Sequence, residues 1–161
     1  MTTHDSAREL LRHTVATLAY RGGKALRGAP AGFESFRAAE GSRPAGAVLA
    51  HVGDLLDWAR RLADGEHVWR EAPPGRWDDG VARFFDALAR LDERLASEAP
   101  LGFPAERIFQ GPIADALGHV GQIAMLRRLA GAPVKGENYF KAEITAGRVG
   151  PEQAAPRREF D

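Results

Sequence analysis

Three polar side chains stand in this sequence where apolar ones are expected. In the stretch ADALGHVGQIAMLRRLAG, residues 114–131, Asp115 and His119 lie one helical turn apart among leucines and isoleucines. A separation of four residues puts both side chains on one face of a helix. Upstream, in VLAHVGDLLDWA, His51 stands between Val48 and Leu55 at helical offsets, so its ring points inward or nearly so. Histidine and carboxylate on facing helices are a usual means by which a bundle interior holds a divalent metal. Imidazole nitrogen and carboxylate oxygen suit zinc, nickel, iron or manganese, and a three-ligand set leaves positions open for water or substrate. The same residues also admit a plain structural reading. Asp115 and His119 then form a helix-stabilising pair of about 0.2–0.5 kcal/mol, and His51 bonds a backbone carbonyl in the core.

The other candidates carry weaker chemistry. Gln122, next along the face of His119, can orient a bound group. Trp58, on the face of His51, is read as core, with a substrate platform as the alternative. His67 and Trp69 follow the same helix as surface and packing residues, and His4 and His13 belong to the first helix or its lead-in. Asp54 and Asp57 are read as a solvated face. The sequence has no Glu-x-x-His pair, which disfavours a di-metal carboxylate bundle. It also lacks H-E-x-x-H, G-x-S-x-G and a glycine loop that cradles phosphate, so no catalytic residue is assigned.

These side chains need helices to hold them, and the apolar periodicity supplies four. The first opens near Ser6 and Glu9, which have capping-box spacing, and buries Leu11, Val15 and Leu18; Gly22 and Gly23 weaken its far end. A long connection follows, from which Phe33 and Phe36 fold back onto the core. The second helix takes Ser42 as cap and Pro44 in its first turn, carries the stripe Val48, Val52, Leu55, Ala59 and Leu62, and ends at Gly65. Pro73 and Pro74 forbid regular structure after it. Asp78 or Asp79 caps the third, whose seam of Val81, Phe84, Phe85, Leu88, Leu91 and Leu95 is the cleanest in the chain. The fourth runs from about Pro112 to Ala130, with Gly131 as its stop before Pro133. Only Arg127 and Arg128 mark a wet sector on it. One of its apolar faces should meet the bundle, and the other the C-terminal tail or a second subunit. No stretch alternates at strand period. The expectation is an all-α fold, a four-helix bundle forming one domain over 1–161, with the bundle at about 3–131 and an extended strap at 132–161.

Bulk properties narrow the partners. The chain has 161 residues with 22 basic and 22 acidic side chains, a formal net charge of zero. That argues against nucleic acid and against a polybasic membrane patch, and for a small molecule or a protein. No apolar run approaches the ~20 residues that span a bilayer. The opening MTTHDSARELLRH is charged where a secretory signal is apolar, so a cytoplasmic location is expected. With no cysteine, the protein has no thiol nucleophile or thiolate ligand of its own.

The segments SRPAGAVLAHVGDLLDWA and GPIADALGHVGQIAMLRRLAG resemble the second and fourth helices of the DinB/YfiT-like four-helix bundles. In that family one histidine on the second helix and two histidines one turn apart later in the chain bind a divalent metal. His51 matches the first position and His119, followed by GQI, the last; the remaining position is Asp115 here. The resemblance covers most of residues 1–131, and the tail GENYFKAEITAGRVGPEQAAPRREFD is similar to the ending of a DinB-like subgroup. From its composition the tail is a strap over apolar surface, with Asn138 or Tyr139 reaching over the metal pocket as the functional alternative. What the resemblance implies is a metal acting as Lewis acid on a small molecule, with a low-molecular-weight thiol as cosubstrate: an S-transferase or a hydrolase. The alternative is a non-catalytic binding or stress-response bundle, a homodimer through its apolar helix face, with a structural metal or none.

Overall fold

In the computed structural model, which describes residues 3–161 and side chains from Ser6 onward, the chain forms a helical bundle closed by a small strand pair. The placement of His4 lies outside the described side chains. Helix α1 spans Thr3–Leu26, α2 Ala45–Ala63 and α3 Trp77–Ala96. A fourth rod is built of α4, Ala105–Ile108, a π-helical turn, Phe109–Ile113, and α5, Ala114–Leu129. Around the bundle the order is α1, α3, α2, α5, so α1 and α2 are diagonal and α2 is the neighbour of α5. That adjacency is what brings residue 51 to residues 115 and 119.

A single apolar core runs through the four rods, with Val15, Leu18, Val52, Leu56, Phe84, Leu88, Leu91 and Ile123 all but sealed from solvent. Ion pairs tie the rods together. Arg12 on α1 grips Asp92 on α3 through two parallel bonds of 2.9 and 3.0 Å. Arg83 on α3 reaches Asp54 and Asp57 on α2 at 2.7 and 2.8 Å. Asp54 is therefore buried, not solvated as expected, and its second role is to accept from the Ala72 amide and anchor the loop after α2.

Several helix ends differ from expectation. Helix α1 is already helical at Thr3, so Ser6 lies inside it, and it runs through Gly22 and Gly23 to Leu26. Gly22 is there for space: a Cβ would overlap the Phe84 ring, so glycine lets α3 approach α1. Pro44 takes the cap position of α2, while the Ser42 hydroxyl bonds within its own turn to the Ala39 carbonyl. Neither Asp78 nor Asp79 caps α3. Both lie in its first turn, where their charge favours the helix dipole. The fourth rod begins seven residues before Pro112, at Ala105, because Pro112 sits inside the π-helical turn. Proline lacks the N–H that an α-helical ladder uses, and the wider turn absorbs that loss.

Arg127 is the clearest departure. It is only 5% exposed, and its guanidinium donates to the carbonyls of Ala25, Arg27, Gly28 and Ala132 at 2.7–3.1 Å. It thus closes the C-terminal end of α1, where carbonyls lack helical partners. Of the expected wet pair only Arg128 is exposed.

Phe33 is buried against Trp77 and Phe36, as the fold-back predicts. The tail is extended apart from one 3-10 turn, Tyr139–Lys141, but it also pairs with itself. Strand β1, Gly136–Glu137, runs antiparallel to β2, Glu159–Phe160, so the all-α reading gains a two-stranded sheet. Glu137 fixes this sheet to α1. Its side chain is fully buried, accepts from the Tyr20 hydroxyl at 2.5 Å, and pairs with Lys24, which also bonds Glu159 at 2.8 Å. Among the described residues no helix is long and apolar enough to cross a membrane.

Candidate metal centre

His51 comes from the middle of α2, and Asp115 and His119 from the first turns of α5. The π-helical turn ends at Ile113, immediately before Asp115. Each residue of a helix turns the face by about 100°, so a widened turn resets which side the following residues present. After it, Ala116, Val120, Ile123 and Arg127 face inward, and Asp115 and His119 face α2.

Asp115 bridges the two rings, one oxygen to each. Oδ1 lies 3.3 Å from His119 Nε2, and Oδ2 lies 3.7 Å from His51 Nε2. The rings stand nearly perpendicular, with centroids 4.8 Å apart. One ligand atom from each residue falls within 4.8 Å of the others. Bonds of about 2.0–2.2 Å to a common tetrahedral centre require ligand atoms about 3.3–3.6 Å apart. The His119–Asp115 separation falls in that range and the His51–Asp115 separation just beyond it, so small side-chain shifts would be needed to close the set on one ion. Two neutral imidazoles and one carboxylate would leave a net positive charge on a divalent ion.

The surroundings prepare the rings for such a role. Gln122 Oε1 sits 2.8 Å from His119 Nδ1, one turn along α5. With the proton on Nδ1 donated to this oxygen, Nε2 on the Asp115 side is left free for a metal, the arrangement that outer-shell partners give metal-binding histidines. Gln122 therefore holds a ring; it was expected to hold a bound group. For His51, burial is the largest influence and lowers its pKa. The charges of His119 and Arg43 act in the same direction and outweigh Asp115. The shift favours the neutral ring, the form that binds metal.

The cluster opens on a cavity of about 620 Å³. His51, Asp115, His119 and Gln122 line one part of it, Ser42 and Arg43 another, and Val48, Met125, Leu126 and Leu129 form an apolar wall. Behind His51 the rings continue away from this cavity. Trp69 meets His51 at 5.6 Å and Trp58 at 5.6 Å, and Trp58 stacks on His67 at 5.7 Å. Trp58 is thus a packing residue behind the site, and its indole N–H is buried with no partner among the described residues. Trp69, read from the sequence as a surface or packing residue, packs on the His51 ring; what the sequence could not show is that its partner is a candidate ligand.

Tyr139 stands elsewhere. Its ring packs edge-on against Tyr20 at 6.1 Å and under the Arg21 guanidinium at 4.2 Å, on α1. Asn138 caps the 3-10 turn beside it by accepting from the Phe140 amide. Neither lines the cavity. Comparison with family models, curated proteins and solved structures finds no match to this chain.

Proposed function

We propose that this protein binds one divalent metal through His51, Asp115 and His119 and acts on a small molecule in the adjoining cavity, as an S-transferase or hydrolase of the DinB/YfiT-like kind. The observation that carries the proposal is the convergence of the three side chains, from two helices far apart in sequence, at ligand spacing on a cavity wall. Zinc, nickel, iron and manganese all suit this donor set. A metal there supplies Lewis acidity and open positions for a donor atom of the substrate. The chain's own residues do the rest. Gln122 fixes the His119 ring, burial favours unprotonated His51, and Trp69 backs His51 on the side away from the cavity. Since the chain has no cysteine, a sulfur nucleophile would enter as a low-molecular-weight thiol.

The test is thiol conjugation: zinc-loaded or nickel-loaded protein with glutathione, mycothiol or bacillithiol and an aryl halide electrophile. Turnover that disappears in His119→Ala supports the reading. No turnover with any pairing would leave a metal-binding protein without transferase activity, and would overturn the enzymatic half of the proposal.

A homodimer belongs to the same reading. Helix α5 packs on both α1 and α2 inside its own bundle. The apolar surface left over includes Leu10 and Phe109, 68% and 43% exposed, beside a groove between α1 and the π-helical turn.

A further inference from the structure

The cavity beside the three candidate ligands has a second chemical feature that metal binding does not use. Arg43, in the turn before α2, lines it with no carboxylate partner among the described residues. Arg43 is close enough to His51 for its charge to act on that ring. The same cavity is lined by Met125 and Leu129 of α5, 57% and 55% exposed, and by the more buried Leu126 and Val48. Long apolar side chains left open on a concave surface, beside an unpaired guanidinium, are the complement of an amphipathic anion. At about 620 Å³ the space is that of a small-molecule site.

We infer that the cavity takes a small organic anion with an apolar body, whose anionic group is held by Arg43 while its body lies on Met125, Leu126 and Leu129. This rests on the proposed function for its consequence, since Asp115 and His119 line the same cavity. The recognition itself does not need the metal. Guanidinium binds carboxylate or phosphate by the same charge-assisted hydrogen bonds, and the apolar wall selects against small inorganic anions, which offer it nothing to bury.

The experiment is calorimetric titration of metal-free protein with octanoate, octyl phosphate, 1-octanol and inorganic phosphate, alongside a separate zinc titration. Both octyl anions should bind, and 1-octanol and inorganic phosphate should bind weakly or not at all. Arg43→Ala should weaken octanoate about tenfold while zinc still binds at one per chain, with Arg43→Lys recovering part of the loss. Leu129→Ser should weaken every octyl ligand together. Octanoate binding no better than 1-octanol, or unchanged by Arg43→Ala, overturns the inference even if zinc binds one per chain. Failure of zinc to bind, with octanoate still held through Arg43, overturns the metal reading and leaves this one standing.

Discussion

At the scale of single residues, the site is legible wherever a side chain breaks an apolar pattern. His51, Asp115 and His119 each interrupt a helical stripe, and all three meet. What spacing could not show is which atoms pair. Gln122 sits three residues after His119, and only the coordinates show its oxygen on Nδ1. Asp54 reads as solvent-facing until Arg83 arrives from α3, and Arg127 reads as wet until the end of α1 lies over it. Both errors have one cause: a polar residue's partner on another helix leaves no trace in its own helix's periodicity. The Gln122 contact gives a prediction. Gln122→Ala keeps all three candidate ligands yet should lower zinc affinity about 10–100-fold, because His119 loses the bond that fixes its tautomer and orientation. Competition against a zinc-responsive dye measures this, and an unchanged affinity would make the contact incidental.

At the scale of elements, the four rods follow from their apolar stripes, and their ends do not. Caps expected at Ser6, Ser42 and Asp78 or Asp79 are absent because tertiary packing, not local capping, decides where these helices start. The π-helical turn was invisible for a different reason. A proline near a helix start and a proline inside a widened turn look the same in sequence. The two tail strands are too short for period-two alternation to register; they exist because Glu137 and Glu159 converge on Lys24. Here pH should act. The Lys24 ammonium holds the Glu159 carboxyl below its ordinary pKa, through a hydrogen bond first and through charge second. The folded chain therefore binds that proton less tightly than the unfolded one. The contribution is full above about 4.3, the ordinary glutamate value, and fades as pH falls through the depressed folded value. Hydrogen exchange should show the amides of residues 136–138 and 158–160 opening in acid before those of α2 and α3. Glu159→Gln should loosen them at neutral pH and remove the acid step belonging to that carboxyl; strands as protected in the variant as in the wild type would contradict the clasp.

At the scale of the whole molecule, the ring order of the rods matters more than any one helix. Because α1 and α2 are diagonal, α5 lies between them and meets one with each apolar face. The sequence marks α5 as covered on most sides, yet α1 and α2 cover only part of it: Asp115, Gln122, Met125 and Leu129 stay exposed. The apolar surface open to a second copy includes the groove with Leu10 and Phe109. Light scattering at micromolar concentration should report a dimer for the wild type and a monomer for Leu10→Glu, whose change is on the surface. A monomeric wild type would contradict this part of the account.

The central claim is that three side chains share one metal ion. Equilibrium dialysis of untagged protein against zinc, with metal quantified by mass spectrometry, tests it most directly. The account predicts one zinc per chain in the wild type, and loss of that zinc in His51→Ala and in His119→Ala with the helical circular dichroism retained. Folded wild-type protein that retains no zinc, or a His119→Ala variant that retains a full equivalent, would contradict it.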